Sequence, residues 1–230
     1  QVKGGALQGY LIDKKTAEKL GITNLGDLQN PEIATVFDND GDSKADLMGC
    51  NEGWGCEAVI EHQLDAFELR DTVTHVQGDY SALMEETIAR YQQGEPVLSY
   101  AWTPNWTFSE LIIGEDIMWL SVPFSMLPGD PQAVTETEDV PGCLGTPCNL
   151  GFDVNDIRVV ANAEFLTNNP TVATLFSLVE IPLNDIATQN ARMISGESGE
   201  DDIRRHADEW IEANREQVDA WLASAREVAP

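Results

Sequence analysis

The sequence predicts an α/β protein built on mostly parallel sheets. Short apolar runs of strand character alternate with stretches of helical period, and Gly, Pro, Asn and Asp punctuate the joins. At 230 residues, 42% of them apolar, the chain can bury a substantial core, as one large domain or two smaller lobes.

Residues 9–12 (GYLI) read as a short buried strand, and residues 13–16 open a helix that runs to Leu20 and ends at Gly21. A turn and short helix follow over 23–28, then a helical stretch over 31–37 and an Asp-rich loop over 38–46. Val59, Ile60, Gln63, Leu64 and Phe67 mark the apolar stripe of a helix over 58–69. Next come a strand over 73–76, a helix over 80–91 closed by Gly94, and strands over 96–102 and 118–122. Residues 128–151, rich in Pro, Gly and acid, are the least regular stretch. A strand over 157–161 and a helix opening at Asn169-Pro170 precede two polar-rich helices, 182–194 and 201–228. The last of these carries Trp210 and Trp221, which are expected to pack in the core with Trp119.

Acids outnumber bases 40 to 13, for a net charge of −27. That sign opposes phosphate contacts, so nucleic acid and anionic membranes are excluded as partners. It otherwise reads as a solvated acidic coat. No apolar run approaches the 20 or so residues of a membrane span, and no signal peptide is present. The chain starts without Met, directly in the apolar run Gly4-Gly5-Ala6-Leu7, and reads as a processed or truncated product.

Four cysteines fall into two local pairs, Cys50/Cys56 and Cys143/Cys148. Three pairings are formally open. Neighbour pairing is the simplest, because both spans carry Gly or Pro turns. Zinc is the rival, set aside because neither pair has a nearby His or the usual two-residue Cys spacing. Two disulfides imply an oxidising compartment, periplasmic or extracellular.

The first of these spans, CNEGWGC, pins Trp54 between two glycines inside a seven-residue loop. An indole held there gains little core but makes a rigid aromatic wall. A second cluster, Tyr100-Ala101-Trp102-Thr103-Pro104-Asn105-Trp106, follows 46 residues after Trp54 with a proline-stiffened turn. Indole faces attract desolvated cations, quaternary ammonium groups above all, so the pair points to a methylated-amine binder. Trp106 is either a further wall or lobe packing.

The Asp-rich loop is a second candidate site. Asp38, Asp40, Asp42, Lys44 and Asp46 form the candidate metal set, with the aspartates at positions 1, 3, 5 and 9 and Gly41 at position 4. Alternating carboxylates on a tight turn suit a structural Ca2+. The full EF-hand pattern is absent, since Gly49 stands at position 12. Lying four residues before Cys50, such an ion would rigidify the approach to the aromatic wall. His62, His75 and His206 are scattered; His62 with Glu57 or Glu61 could suggest metal chemistry, but on an amphipathic helix these read as solvent-facing polar residues. No nucleophile elbow or phosphate loop is present, which argues against an enzyme.

GYLIDKKTAEK, DNDGDSKADLMGCNEGWGCE, YAWTPNW, WLSVPFSMLPGD and DEWIEANREQVDAWL follow one another along the chain. With these segments the chain closely resembles the periplasmic glycine betaine/proline betaine-binding proteins of ABC importers, whose pattern related trimethylamine N-oxide binders share. The resemblance implies a two-lobed type II periplasmic-binding-protein fold. Residues 11–118 would be the complete second lobe. Residues 1–10 and 119–230 would be the remainder of the first, whose N-terminal half, with a further box tryptophan and a histidine, is missing. It implies that Trp54 and Trp102 box the trimethylammonium head and that the backbone amides of Gly55 and Cys56 receive the ligand carboxylate. The implied partners are a methylated-amine small molecule and a membrane permease, for a chain acting as a monomer in the periplasm. Beyond the possible Ca2+, no cofactor is expected. The alternatives are an enzyme acting on a choline-like substrate and a calcium-stabilised structural module.

Overall fold

The computed structural model describes residues 2–130 and 132–228. Residues 1, 131, 229 and 230, which the expected lobe division takes in, lie outside the described residues. The chain forms two compact units, one of residues 7–154 and one of 1–6 with 155–230. It starts with strand β1 (Val2–Ala6) and passes into β2 (Gln8–Asp13) and helix α1 (Lys14–Leu20). Helix α2 (Pro31–Ala34) leads to β3 (Ala45–Met48), α3 (Gly55–Ala66), β4 (Val73–Val76), α4 (Tyr80–Gln92) and β5 (Leu98–Trp102). Strand β6 (Ile117–Leu120) and the two-residue strands β7 (Glu136–Thr137) and β8 (Cys148–Asn149) complete the first unit.

Its five-stranded sheet has the order β4-β3-β5-β2-β6. The sheet is mixed rather than mostly parallel. β3 runs parallel to β4 and to β5, while β2 runs antiparallel to both β5 and β6. The helices α3 and α4 are the crossovers that parallel neighbours require. β2 has no such crossover to its partners. Tyr10 pairs with Tyr100 and Leu120, far along the chain, and local alternation of strand and helix carries no trace of that pairing. β3 falls partly inside the stretch read as a loop. Only four residues long, it is buried throughout, even at Asp46, whose carboxylate accepts the Asn39 amide at 2.7 Å.

Local signals set the helix ends. The Asp13 carboxylate caps α1 by accepting the Thr16 amide at 2.8 Å, and Asp79 does the same for α4 through Ala82. α3 begins three residues before the start its apolar stripe suggested, directly at the disulfide loop. Ile60 and Leu64 on α3 pack with Tyr10, Ile12, Leu47 and Leu98 of the sheet. Gln63 sits wholly buried among them. Its side chain accepts the Tyr10 hydroxyl at 2.6 Å and donates to the carbonyls of Gly151 and Met126, tying helix, sheet and the irregular stretch together. That stretch is pinned by the Cys143–Cys148 disulfide and by β7 pairing with β8. Trp119 is buried as expected, 5.7 Å from the ring of Phe108.

The second unit pairs β1 with β9 (Asn155–Ile157), antiparallel, and adds α5 (Ala163–Asn168), α6 (Pro170–Leu178), α7 (Leu183–Ile194), α8 (Glu200–Ala213) and α9 (Arg215–Glu227). The strand expected over 157–161 is β9, which ends at Ile157 opposite Val2 of β1. The single helix expected over 201–228 is two helices. Asn214 interrupts it, and its side-chain amide donates to the Trp210 carbonyl at 2.9 Å, a local bond of the kind that competes with helix continuation. Trp210 and Trp221 are half-buried and not in a core. Their rings stack on each other at 6.3 Å with 15° between planes. Glu197 gathers Arg205, His206 and Arg192 around one carboxylate. These bonds, that of Arg205 foremost, pull its pKa from the ordinary 4.5 to about 2.

Two outcomes follow from this packing. Gln63→Leu strands the Tyr10 hydroxyl in the core and should cost about 3 kcal/mol, read as a fall in Tm of about 6–12 °C. A carboxyl with a depressed pKa stabilises the fold above its unfolded pKa and loses that contribution as pH falls through the folded value. The stability advantage of wild type over Glu197→Gln should therefore hold at neutral pH and vanish between pH 4.5 and about 2, as followed by thermal unfolding across that range.

Candidate functional site

Three segments converge at one edge of the five-stranded sheet. β4, β3 and β5 are adjacent and parallel, so the chain leaves all three at their carboxyl ends, where open α/β sheets place their ligands. The disulfide loop follows β3, Tyr80 follows β4 at the start of α4, and Trp102 is the last residue of β5.

The loop is held at several points. Cys50 and Cys56 are bonded. Gly49, just before them, donates its amide to the Val76 carbonyl at 2.9 Å and lies under the buried ring of His75. A Cβ on Gly49 would stand 1.9 Å from His75 Nε2, so only glycine fits. His75 Nδ1 in turn is 2.7 Å from the Glu61 carboxylate. Gly53 takes the left-handed φ of 83° and donates its amide to Glu57 at 2.5 Å. A hydrogen bond from Gln77, and after it this Gly53 amide, hold the Glu57 carboxyl below its usual range. Trp54 is the residue before α3 and its indole is 45% exposed, which leaves one face available.

Gly55 and Cys56 are the first two residues of α3. No side chain caps this helix, and neither amide N–H takes a partner among the described residues. Unpaired amides at the start of a 12-residue helix carry a partial positive charge and are ready to accept an anion.

The rings of Trp54 and Trp102 meet at 6.0 Å with planes at 68°, making a corner of two indole faces. Tyr80 backs that corner, 4.4 Å from Trp102 and 6.4 Å from Trp54, and Tyr100 lies 6.0 Å from Trp102. Burial, together with the proximity of Tyr100, drives the Tyr80 phenol far above its ordinary pKa, and burial raises Tyr100 likewise. Both stay neutral and hydrogen-bonded. Trp106 does not join these rings. It opens a short helical turn (Trp106–Ser109) capped by Asn105 and packs against core residues. The corner attracts a cation and the neighbouring amides attract an anion, so the arrangement suits a small zwitterion.

Of the acidic loop, Asp38, Asp40 and Asp42 bring carboxylate oxygens within 4.8 Å of one another. The other two candidates point elsewhere: Asp46 to the Asn39 amide, and the Lys44 ammonium to the Arg70 carbonyl at 2.7 Å. The Gly41 amide, foremost among several, holds Asp38 below the usual carboxylate range. The loop precedes β3 and the aromatic loop follows it, so about 13 Å of strand separates them. An ion there would not rigidify the approach to Trp54 directly, because β3 intervenes. Tyr80, Asn51 and Asn105 carry no site signal in the sequence, and His75, which the sequence offers only as one of three scattered histidines, has a buried ring. Asp79 signals the helix start at Tyr80, but nothing local tells that this ring returns to residues 54 and 102.

Gly49→Ala should lower stability by about 2 kcal/mol through overpacking. His75→Ala opens that space and should recover part of the loss. Urea unfolding of the single and double variants measures the coupling, and strictly additive losses would contradict the contact.

The family model described as the substrate binding domain of ABC-type glycine betaine transport systems (OpuAC) matches residues 1–213. The chain is 51% identical over 225 residues to the glycine betaine-binding periplasmic protein OusX of Dickeya dadantii, covering 98% of this chain and 66% of that protein. It is also 51% identical over 221 residues to the glycine betaine/proline betaine-binding periplasmic protein of Escherichia coli, covering 96% and 65%. The chain thus spans just under two thirds of the length of these relatives. Its fold is similar to that of an ABC-transporter choline binding protein solved in complex with choline, at a TM-score of 0.62, 17% identity, and coverage of 96% of this chain and 64% of that one. The α/β architecture is therefore that of the periplasmic binding proteins, and the chain belongs to the OpuAC family of glycine betaine substrate binding domains.

Proposed function

We propose that the chain is the substrate-binding component of an ABC importer, takes up a methylated-amine osmolyte, and binds it without turnover. The observation that carries this reading is the pair of indoles with planes at 68° beside the unpaired amides of Gly55 and Cys56. Trp54 and Trp102 box the quaternary nitrogen, and the two amides take the anionic end. Each cation–π contact contributes about 0.5–2 kcal/mol. Micromolar affinity needs about 8 kcal/mol, so methyl burial and the charge-assisted hydrogen bonds must supply the remainder. Glycine betaine is the preferred ligand. Its carboxylate has two oxygens for two amides, held apart from the nitrogen by a methylene, whereas trimethylamine N-oxide carries one oxygen on the nitrogen itself. Trp106 is read as a packing residue against the core.

The relatives' names place them in the periplasm, and the two disulfides suit that oxidising compartment. No helix among the described residues is long and apolar enough to cross a membrane. The chain acts as a monomer that presents its liganded form to a membrane permease. At the level of lobes, 11–118 belongs to the second and 1–10 with 119–230 to the first. The compact units favour moving those borders to 7–154 and to 1–6 with 155–230. The carboxylates of Asp38, Asp40 and Asp42 hold a structural Ca2+.

Calorimetry with glycine betaine, trimethylamine N-oxide and choline, with and without a chelator, tests these statements. Heat without product is expected, strongest for glycine betaine. Trp54→Ala and Trp102→Ala should each raise Kd at least about tenfold, close to the loss of 1.4 kcal/mol. A chelator should lower Tm and leave Kd nearly unchanged. Unaltered affinity in both tryptophan variants would refute the box.

A further inference from the structure

We propose that Tyr80 is the positioning residue that sets the angle between the two indoles. The inference rests on the binding reading above and adds a residue that touches no ligand in it. Tyr80 is only 4% exposed, so its ring faces protein and not solvent. It is bonded to both segments that carry the tryptophans. Its backbone amide donates to Asn51 Oδ1 of the disulfide loop at 3.1 Å. Its hydroxyl accepts from Asn105 Nδ2 at 3.2 Å and donates to the Tyr100 carbonyl at 3.4 Å, both in the segment around Trp102. Its ring contacts Trp102 at 4.4 Å and Trp54 at 6.4 Å. Asp79 fixes the start of α4 from which the ring projects.

These contacts make one residue the common support of two walls, one in the disulfide loop and one at the end of β5. A half-exposed indole in a loop has freedom about its χ angles even when the loop backbone is closed by a disulfide. A ring wedged behind it removes that freedom before ligand arrives. Preorganisation of this kind improves affinity by lowering the ordering cost of binding. Asn51 and Asn105 hold the support from either side, and both have their backbone neighbours in order, with Asn105 Oδ1 accepting the Thr107 amide at 3.0 Å.

The test uses Tyr80→Leu, which removes the ring, and Tyr80→Phe, which keeps the ring and removes only the hydroxyl. Near-UV circular dichroism of the ligand-free protein reads the coupling of Trp54 to its neighbours, and calorimetry reads Kd for glycine betaine. Tyr80→Leu should change the near-UV tryptophan bands and raise Kd at least about fivefold while unfolding stays cooperative. Tyr80→Phe should keep the bands and stay within about twofold of wild-type Kd. On a Trp54→Phe, Trp102→Phe background the tryptophan-band effect of Tyr80→Leu should largely disappear, which ties it to these two indoles and not to general loosening. Wild-type bands and Kd in Tyr80→Leu would overturn the proposal, as would equal losses in the Leu and Phe variants. If wild type binds no methylated amine, the binding reading fails, and the near-UV bands alone still decide whether Tyr80 orients Trp54.

Discussion

The site depends on one constraint: β4, β3 and β5 lie side by side and run in the same direction. Parallel neighbours deliver their carboxyl ends to one edge, so three segments distant in the chain arrive together. From that edge rise the disulfide loop, the first turn of α4 and the end of β5. Had one of the three run the other way, its aromatic residue would lie at the opposite edge, with the acidic loop. The alternation of strands with α3 and α4 is therefore what makes a composite ring cluster possible.

Electrostatics then divides the cluster into two halves. The aromatic half is kept uncharged. Tyr80 and Tyr100 have their phenol pKa values driven up by burial, so no phenolate competes for a guest cation. The other half is the bare start of α3. There Glu57 folds back on the Gly53 amide and leaves the amides of Gly55 and Cys56 free. A neutral zwitterion matches both halves, and the net charge of −27 exerts little long-range pull on it.

The six tryptophans show how context assigns one residue type to different work. Trp119 is buried in the sheet and packs with Phe108, and Trp106 is partly buried against the core. Trp210 and Trp221 stack on each other in the other unit. Only Trp54 and Trp102 combine an accessible or half-accessible ring with a neighbouring ring at a steep angle. Trp54 owes its exposure to flanking glycines and a short disulfide, features of the local chain. Trp102 owes its place to the end of β5 and to Tyr80 behind it, features of the assembled sheet.

What the sequence by itself determined was local. The CNEGWGC loop, the neighbour pairing of the cysteines, the helix start at Asp13 and most of the strands followed from neighbouring residues, because turns, caps and short covalent loops close within a few positions. The acidic loop shows the limit of that locality: four residues in sequence suggest proximity to Cys50, yet β3 places the loop and the disulfide at opposite ends of one strand. Only the tertiary structure decided that the sheet is mixed and that Tyr80 stands behind both indoles. Those outcomes rest on pairings between residues tens of positions apart, and no local period or composition records which distant partner a buried strand or ring will meet.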